Sequence, residues 1–274
     1  MPRQTFIYKI RQAVLTSKCV LGDCIPEMWR HPSGFTPLVI ADPPYNFGMA
    51  YDNYDDNKEP DEYMAWTSRW LEAARHALHK HGSLFLFIPD DWVSEIDVLA
   101  RKKFKFYKRR HIVWTFTFGQ ASQKNFSKSH CHILYLTCSK TKFTFNADAI
   151  RVPSARMLVY NDSRQNPKGK LPDATWMLLK SQMEPYMTPD TDTWLDSRIN
   201  GTFKERKAHS PNQIPVPIMS RIIRVASNPG DLVLDPFMGT AGCGEAAKIE
   251  KRSYLGIDVS KACVKDAQKR LICY

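Results

Sequence analysis

The residues best suited to chemistry stand where an apolar run ends, in the stretch "LVIADPPYNFG". Asp42 follows the apolar run, and Pro43, Pro44 and Tyr45 come directly after it. Proline cannot donate to a sheet ladder, so the two prolines end a predicted strand. The stretch is therefore either a simple strand stop or a strand that delivers a carboxylate and an aromatic ring to a site.

Three further aspartates follow predicted strands, namely Asp23, Asp235 and Asp258. In an open α/β sheet, ligands bind beyond the carboxyl ends of the strands. Helix or turn capping would explain one or two such acids. Four of them at one edge favour a single crevice and a cationic or hydroxyl-rich ligand.

The stretch "LVLDPFMGTAGCGEAA" places Gly239 and Gly242 in the turn between a predicted strand and a predicted helix. Such a turn lets backbone N–H groups approach a ligand closely. Asp258 ends the next strand about 19 residues beyond Gly239, close to the offset of a ribose-binding acid. The chain lacks GxGxxG and GxxxxGK[ST], which favours a mononucleoside over a dinucleotide or a nucleoside triphosphate.

The elements that position these residues alternate between strand and helix in the first half of the chain. This alternation predicts a mostly parallel sheet with helices on both faces. Aromatic and apolar residues at helical spacing over 63–78 predict a helix, and Gly82 is placed to end it. Ser260 is predicted to cap the last helix.

Composition is ordinary for a globular protein, with 43% hydrophobic residues, but the formal net charge is +11. That excess suits a polyanionic partner, although a merely basic protein would also show it. Seven cysteines without a CxxC pair favour a reducing cytosol over a disulfide framework. His130 and His132 flank Cys131 as alternate residues of a strand, so no metal site is expected.

No segment resembles a signal peptide or a membrane span. We therefore expect a cytoplasmic protein that is not bound to a membrane. From residue 151 to 206 the sequence is rich in Pro, Asp and Thr and has no clear period. This region is either a long surface excursion or a small subdomain.

Four motifs resemble those of S-adenosylmethionine-dependent amino-methyltransferases that act on DNA. "ADPPYNFG" resembles the catalytic motif and "LDPFMGT" the methionine-pocket motif, usually written DPFxGSGT. "GDCIPEM" and "ERKAHSPNQIPVPIMSRII" resemble the segments that precede these two motifs. In this chain the catalytic motif precedes the cofactor motif, which is the permuted, β-class order of that family. Ala241 replaces the second pocket glycine, and the residues after His209 depart from the usual Pro-Thr-Gln-Lys-Pro.

The resemblance implies an α/β, Rossmann-like methyltransferase fold with circularly permuted motif order and a small target-recognition insertion. It divides the chain into a catalytic half over 1–150, a target-recognition region over 151–206 and a cofactor-binding half over 207–274. It implies S-adenosylmethionine as cofactor and double-stranded DNA as partner. It leaves room for a homodimer and for a separate restriction endonuclease, and it implies a prokaryotic or phage-infected cell.

The resemblance also assigns site residues. The catalytic residues are Asp42, Pro43, Pro44 and Tyr45. The cofactor-binding residues are Asp23, Cys24, Asp42, His209, Asn212, Gln213, Pro215, Asp235, Phe237, Gly239, Thr240 and Asp258. Within this set, Asp258 is expected on the ribose hydroxyls, and Asp23 with the Cys24 backbone on the adenine.

Candidates for DNA phosphate contacts are Lys124, Asn125, Lys128, Arg151, Lys168 and Lys170, with Arg156, Arg164 and Arg206 as further basic residues. For any single one of these residues, a solvated basic surface is the more common role.

The chemistry implied is methylation of the exocyclic amine of adenine, whose lone pair is delocalised into the ring. Asp42 would accept one amine hydrogen and the Pro43 carbonyl the other, which would localise that pair. Positioning and electrostatics then carry catalysis without a covalent enzyme intermediate. Tyr45 would stack on a base extruded from the duplex, and Phe47 would either assist it or serve only in packing.

Three alternatives stay open. Cytosine-N4 methylation uses the same chemistry, although relatives acting on cytosine more often carry Ser where Asp42 stands. A catalytically inactive DNA-binding relative is disfavoured by the intact motif. Methylation of RNA or of a protein glutamine is the third, and a glutamine enzyme more typically carries Asn at the position of Asp42.

Overall fold

A computed structural model describes residues 15–120, 123, 124, 126, 128–152, 154, 160–173, 175, 176 and 213–272. The strands are β1 Ser17–Leu21, β2 Thr36–Ala41, β3 Leu78–Ile88, β4 Tyr107–Gln120, β5 Lys128–Thr137, β6 Thr175–Trp176, β7 Leu232–Asp235 and β8 Ser253–Asp258. The helices are α1 Cys24–Trp29, α2 Pro60–Ala77, α3 Val93–Lys102, α4 Val216–Ala226, α5 Gly242–Ile249 and α6 Lys261–Ile272, with a short 3-10 helix Ala147–Ile150.

The strands form one sheet in the order β1-β8-β7-β2-β3-β5-β4-β6. Neighbouring strands from β1 to β3 are parallel. β5 runs antiparallel to both β3 and β4, so the β4–β5 hairpin extends the parallel part of the sheet. The predicted mostly parallel sheet is confirmed, and its antiparallel part, formed by β3, β5 and β4, lies within residues 1–150.

Helices cover both faces of this sheet. α4, α5 and α6 pack on one face, where Leu38 and Ile40 of β2 enter their core. α1, α2 and α3 pack on the other face, against Val39 and Ala41 of the same strand. Because successive strand residues point to opposite faces, a strand buried on both sides is continuously apolar. The apolar run before Asp42 is explained by this double burial.

The prediction that Gly82 ends a helix is wrong. α2 ends at Ala77, and Gly82 lies inside β3 at an irregularity in the register between β3 and β2. A Cβ at Gly82 would lie 3.1 Å from the Pro37 carbonyl oxygen. Glycine is needed there because two backbones approach each other closely, not because a helix stops.

The described part of the predicted target-recognition region touches the edge of the sheet. β6 pairs with β4, and an isolated bridge joins Val152 to Lys170. The predicted boundary between residues 206 and 207 lies outside the described residues, so the division into three regions stays a prediction. In the part of the chain that the structure describes, no helix is both long and apolar enough to cross a membrane.

Candidate active site

The four aspartates of the sequence motifs meet at one edge of the sheet. Asp42 directly follows β2, and Asp235 and Asp258 are the last residues of β7 and β8. Asp23 lies two residues beyond β1 and caps α1, where its carboxylate accepts a hydrogen bond from the Ile25 N–H at 2.9 Å. Since β1, β8, β7 and β2 are adjacent and parallel, their carboxyl ends lie side by side. The predicted grouping of the four acids is confirmed.

Two cavities open at this edge. The larger, of about 540 Å³, is lined by predicted cofactor residues from both halves of the chain: Asp23, Cys24, Asp42, Phe237, Gly239 and Asp258. The smaller, of about 50 Å³, is lined by Asp42, Gln213, Asp235, Phe237, Gly239 and Thr240. Asp42 borders both cavities and is therefore part of the wall between them and the catalytic turn.

The carbonyl groups of the turn after β2 are not equally available. The Tyr63 hydroxyl donates to the Pro44 carbonyl at 2.9 Å, and the Trp92 indole N–H donates to the Tyr45 carbonyl at 3.0 Å. Among the described residues, none donates to the Pro43 carbonyl. The turn is thus held at two carbonyls, and the one that the sequence predicts to accept a substrate hydrogen remains available.

The Tyr45 hydroxyl donates a hydrogen bond of 2.5 Å to Asp42 Oδ1 and lies 3.7 Å from the Cys131 sulfur. Burial raises the pKa of Tyr45 well above its usual value, and the Asp42 charge raises it further, so the hydroxyl stays a donor. This bond orients the Asp42 carboxylate, a role that sequence reasoning did not assign to Tyr45. Its predicted stacking on a base stays a prediction.

Phe47 lies beside Tyr45 with its ring edge-on, at a centroid distance of 5.9 Å. It is 47% exposed, so it is not a core residue. The Lys128 ammonium lies 4.9 Å from the Phe47 ring centroid, a cation–π contact at the mouth of the site. Phe47 is therefore exposed beside the catalytic turn, although it lines neither cavity, and its predicted assistance to Tyr45 stays a prediction.

Asp56 anchors the segment that follows the catalytic turn, and sequence reasoning missed it. Its carboxylate accepts hydrogen bonds from the backbone N–H groups of Asn46 at 2.8 Å, Phe47 at 3.1 Å and Met49 at 3.0 Å. Its carbonyl accepts the Gly48 N–H at 2.8 Å. Asn46 and Gly48 have positive φ, so three N–H groups converge on the buried Asp56 carboxylate and the fourth, that of Gly48, bonds to the Asp56 carbonyl. Nothing in the polar loop 49–62 marks Asp56 apart from its neighbours.

Replacing Asp56 with Asn is expected to lower kcat for methyl transfer by about tenfold to 100-fold, because a small misplacement of the catalytic turn is costly. An amide keeps one acceptor oxygen, so it leaves at least one of the three N–H groups without its partner. Steady-state kinetics with the purified variant measure this. Asp55→Asn, the same change at the exposed preceding residue, is the control and should retain full activity. Equal kcat for both variants would contradict the anchoring role.

The same segment closes over the larger cavity. The Ser260 hydroxyl donates to Asp52 Oδ2 at 2.8 Å, and the Asn53 side-chain amide donates to the Val259 carbonyl at 3.1 Å. Both contacts join the segment to the residues that follow β8. Met49 and Tyr54 line the cavity between these contacts and the catalytic turn. The segment is therefore a wall of the cavity as well as a support for Asp42.

Asp258 ties two turns together at the carboxyl end of β8. Its Oδ2 accepts the Gly239 N–H and its Oδ1 accepts the Ser260 N–H, both at 2.8 Å. Burial raises the pKa of this carboxyl despite the two N–H groups, which act in the opposite direction. Ala241, where the related motif has glycine, adopts a left-handed conformation with φ of 58° and is the N-cap residue that precedes α5. The glycine turn of the motif is retained at the cost of local strain at Ala241.

Asp235 is a buried carboxyl at the wall of the smaller cavity. Its Oδ1 accepts the Phe237 N–H at 3.2 Å, and its Oδ2 accepts the Tyr254 hydroxyl at 3.1 Å. Burial raises its pKa to about 7, these two donors lower it, and the charges of Asp42 and Asp258 raise it. The carboxyl is thus placed where a cation would favour its ionised form.

Thr240 presents a buried hydroxyl group at the smaller cavity. Its hydroxyl is buried and has no hydrogen-bond partner among the described residues. Gln213, also buried, lines the same cavity. A buried hydroxyl without a partner costs free energy, so a polar ligand group at this position would be stabilised. The residues present fit a small polar group with a positive charge beside Asp42 and Asp235.

Some predicted site residues are not placed at these cavities. His209, Asn212 and Asn125 lie outside the described residues, as do the further basic residues Arg156 and Arg206. Pro215 precedes α4 as its N-cap residue, and the described residues that line the two cavities do not include it. Its contact with a cofactor stays a prediction.

Most of the predicted DNA-contacting cations form ion pairs. Lys128 lies 3.2 Å from Asp90 and 2.5 Å from Asp91. Arg151 and Lys168 share Asp148, at 2.8 and 2.6 Å, and Lys170 lies 2.8 Å from Asp173. The acceptors are largely exposed, so these contacts are weak enough for a phosphate to replace them. Phosphate contacts by these residues and by exposed Lys124 stay predictions.

Within the described ranges, no group of three or more His, Cys, Asp or Glu side chains is arranged to hold a metal ion. His130 and His132 lie on β5 as predicted, and the His132 ring nitrogen lies 2.7 Å from that of His111 on β4.

The open sheet, the acids at its carboxyl edge and the adjoining cavity define a Rossmann-like domain that binds a nucleoside-containing ligand. The family model of the N6/N4 DNA methylases matches residues 36–269. The chain belongs to this family. Its catalytic motif comes before its cofactor motif, so it has the permuted arrangement.

Two relatives of known activity cover most of the chain. The type II methyltransferase M.HpaI of Haemophilus parainfluenzae is 33% identical over 85% of this chain and 67% of its own length. The DNA adenine methyltransferase YhdJ of Escherichia coli K12 is 30% identical over 91% of this chain and 81% of its own length.

Two solved structures share the fold. The complex of M1.HpyAVI with S-adenosylmethionine has a TM-score of 0.62 at 20% identity, covering 93% of this chain and 99% of that one. The cytosine-N4-specific PvuII DNA methyltransferase has a TM-score of 0.66 at 16% identity, covering 93% of this chain and 87% of that one.

Proposed function

We propose that this DNA methylase transfers a methyl group from S-adenosylmethionine to the exocyclic N6 amine of adenine in double-stranded DNA. One observation carries the proposal. The Asp42 carboxyl group borders both cavities, and the carbonyl of the adjacent Pro43 accepts no hydrogen bond from any described residue. Two adjacent acceptors suit a group with two N–H hydrogens, which is an exocyclic amine.

The residues of the catalytic turn orient this amine. Asp42 accepts one N–H and the Pro43 carbonyl accepts the other, which draws the nitrogen lone pair out of conjugation with the ring. Tyr45 holds one Asp42 oxygen in place, and its ring would stack on the base. Asp42 also receives the proton that the amine loses once it is methylated. The fixed acceptors need little reorganisation during the reaction.

S-adenosylmethionine supplies a methyl group activated by a positive sulfonium. Asp258 would hold the ribose hydroxyls, and Asp23 with the Cys24 backbone would hold the adenine, as the family motifs imply; these residues line the larger cavity. Asp235 and Thr240, which line the smaller cavity, would hold the methionine end. A buried carboxyl pairs with its ammonium and the buried hydroxyl gains a partner there.

Adenine is favoured as the target base on two grounds. Asp42 stands at a position where relatives acting on cytosine more often carry Ser. The relative that covers 91% of this chain at 30% identity is an adenine methyltransferase. The similarity to the cytosine-N4-specific PvuII enzyme makes cytosine-N4 methylation the second candidate.

The product decides between the two bases. Unmethylated duplex DNA is incubated with the protein and S-adenosylmethionine, digested to nucleosides and separated by chromatography. We expect N6-methyladenine. N4-methylcytosine without N6-methyladenine would overturn the adenine assignment, and transfer to RNA but not to duplex DNA would overturn the substrate class.

A further inference from the structure

The positive charge of the chain is concentrated in one stretch of sequence. Residues 98–147 contain 11 Lys and Arg and no Asp or Glu. Without these 11, the 39 Lys and Arg of the chain fall to 28, which equals the 28 Asp and Glu. The formal net charge of +11 therefore arises entirely within this stretch.

The fold places most of these cations at the edge of the sheet opposite the catalytic turn. β4 begins at Tyr107 and β5 ends at Thr137, and these two residues are register partners. That end of the hairpin lies at the edge where β2 and β3 begin. We define the amino-edge surface by its exposed cations: Lys80, Lys102, Lys103, Lys105, Arg109, Arg110, Lys140 and Lys142.

Contacts between neighbouring elements join these cations into one surface. The Arg109 guanidinium donates to the Lys140 carbonyl at 3.0 Å, which links β4 to the segment after β5. The Cys138 N–H donates to the Gly82 carbonyl at 2.9 Å, which brings in the start of β3 with Lys80. The surface therefore spans three strands and the connection from α3 to β4.

Asp97 is the acid that faces this surface from α3, and it is already paired. Arg101 lies 2.9 Å and Lys108 2.6 Å from its carboxylate. These two salt bridges hold its pKa below the usual value, although burial alone would raise it. The eight cations of the surface are additional to the two that Asp97 pairs with, so like charges accumulate there and repel one another.

The amino-edge surface is too far from the catalytic turn to contact the DNA phosphates that lie beside that turn. His132 pairs with Ile88, the last residue of β3, at the catalytic edge. Thr137 lies five residues further along β5, which at about 3.3 Å per residue corresponds to about 17 Å. At the catalytic edge, Lys128 is instead paired with Asp90 and Asp91. The two edges therefore present different charge to a polyanion.

We propose that the amino-edge surface is a second binding surface for duplex DNA, which contacts phosphates without reading bases. The proposal rests on DNA as the substrate of the proposed function. DNA already bound at the catalytic edge supplies a polyanion of high charge density beside the protein. Binding a second segment of it relieves the repulsion among these cations and releases counterions. The surface would keep the protein on long DNA between encounters with its target.

The salt dependence of DNA binding tests this proposal. The amino-edge variant carries Lys80→Gln, Lys102→Gln, Arg110→Gln and Lys142→Gln. The control variant carries the same change at four exposed lysines elsewhere: Lys18→Gln, Lys251→Gln, Lys265→Gln and Lys269→Gln. Each variant loses four charges, so the net charge of both falls from +11 to +7. None of these residues belongs to the proposed catalytic or cofactor-binding set.

Binding of a labelled duplex of random sequence is measured by fluorescence anisotropy without cofactor, between about 50 and 200 mM salt. We expect the slope of log K against log salt to be less steep by about 3 to 4 units in the amino-edge variant, since each phosphate contact contributes about 0.9. The control variant should keep the wild-type slope. Equal slopes in the two variants would overturn the proposal.

A capture assay tests whether the surface is separate from the catalytic edge. Wild-type protein held on an immobilised duplex should retain a second, labelled duplex, and the amino-edge variant should not. Failure of the wild-type protein to retain a second duplex would overturn the proposal. Binding to phosphatidylserine vesicles is measured for the same two proteins. If the amino-edge variant loses vesicle binding but captures the second duplex as well as the wild-type protein does, the surface binds a membrane and not DNA.

These assays do not depend on methyl transfer. If the wild-type protein transfers no methyl group but the slopes differ as expected, the amino-edge surface stands and the proposed reaction fails. If methyl transfer is normal and the slopes are equal, the reaction stands and the surface fails. In the amino-edge variant, kcat on a saturating short duplex should equal that of the wild-type protein.

Discussion

Replacing Asp42 with Ala is expected to lower kcat for methyl transfer by about 10³-fold or more, while the Kd for duplex DNA changes by only a few-fold. In the proposed reaction, the carboxylate is one of two acceptors that orient the amine and it receives the amine proton, so its loss removes both functions. The other acceptor, the Pro43 carbonyl, belongs to the backbone and stays in place. Single-turnover methylation with saturating S-adenosylmethionine measures the chemical step directly.

The matched control is Asp91→Ala, which removes a carboxylate from the same side of the sheet. Asp91 is exposed and contacts Lys128 at 2.5 Å rather than the catalytic turn. Its variant should transfer methyl groups at close to the wild-type rate. A kcat within tenfold of wild type for Asp42→Ala would show that the methyl transfer does not depend on this carboxylate, and the catalytic assignment would fail.

The main site residues could be predicted because strand ends have a strong sequence signal. A continuous apolar run followed by Asp marks a strand that is buried on both faces, and parallel strands bring their ends to one edge. Asp42, Asp235 and Asp258 all stand in this pattern, and all three lie at strand ends in the structure. The supporting role of Asp56 could not be predicted in this way. Its carboxylate accepts hydrogen bonds from backbone N–H groups, and it lies in a loop whose sequence has no hydrophobic periodicity.

The errors and omissions have local physical causes. Gly82 was placed at a helix end because glycine commonly stops helices, whereas close approach of the Pro37 carbonyl requires it inside a strand. Lys128 was selected for its charge, and sequence does not show that Asp90 and Asp91 lie beside it. Long-range partners of this kind depend on strand register, which the motif pattern does not specify.

Affinity for S-adenosylmethionine is expected to weaken steeply as pH falls below about 7, and Asp235 is the group responsible. Burial raises the pKa of this carboxyl to about 7 in the cofactor-free protein. Pairing with the ammonium of the cofactor requires the ionised form, so binding releases a proton below that pH. The Kd for S-adenosylmethionine then rises by up to about tenfold for each unit by which the pH falls below 7. Isothermal titration between pH 5 and 7.5 measures this dependence.

The Asp235→Asn variant is the control for this dependence. It lacks the titrating carboxyl, so it should bind more weakly at pH 7.5 and show little change in Kd down to pH 5. Three groups that face Asp235 do not titrate in this range: burial raises the pKa of Cys19 to about 11 and those of Cys243 and Tyr254 well above their usual values. Burial also raises the pKa of Asp258, but this carboxyl is present in both proteins, so the difference between their pH dependences reports Asp235. A wild-type Kd that is independent of pH, or the same pH dependence in both proteins, would contradict the assignment.

The stability of the cofactor-free protein provides an independent measurement of the same group. A carboxyl whose pKa is raised on folding contributes stability below its unfolded pKa, and this contribution is lost as pH rises through the folded value. For Asp235 the loss falls between about pH 4 and 7. The wild-type protein should therefore lose Tm relative to Asp235→Asn across that range, and S-adenosylmethionine should raise its Tm more at pH 7.5 than at pH 5. A constant Tm difference between the two proteins would show that Asp235 is ionised throughout and that its burial does not control cofactor binding.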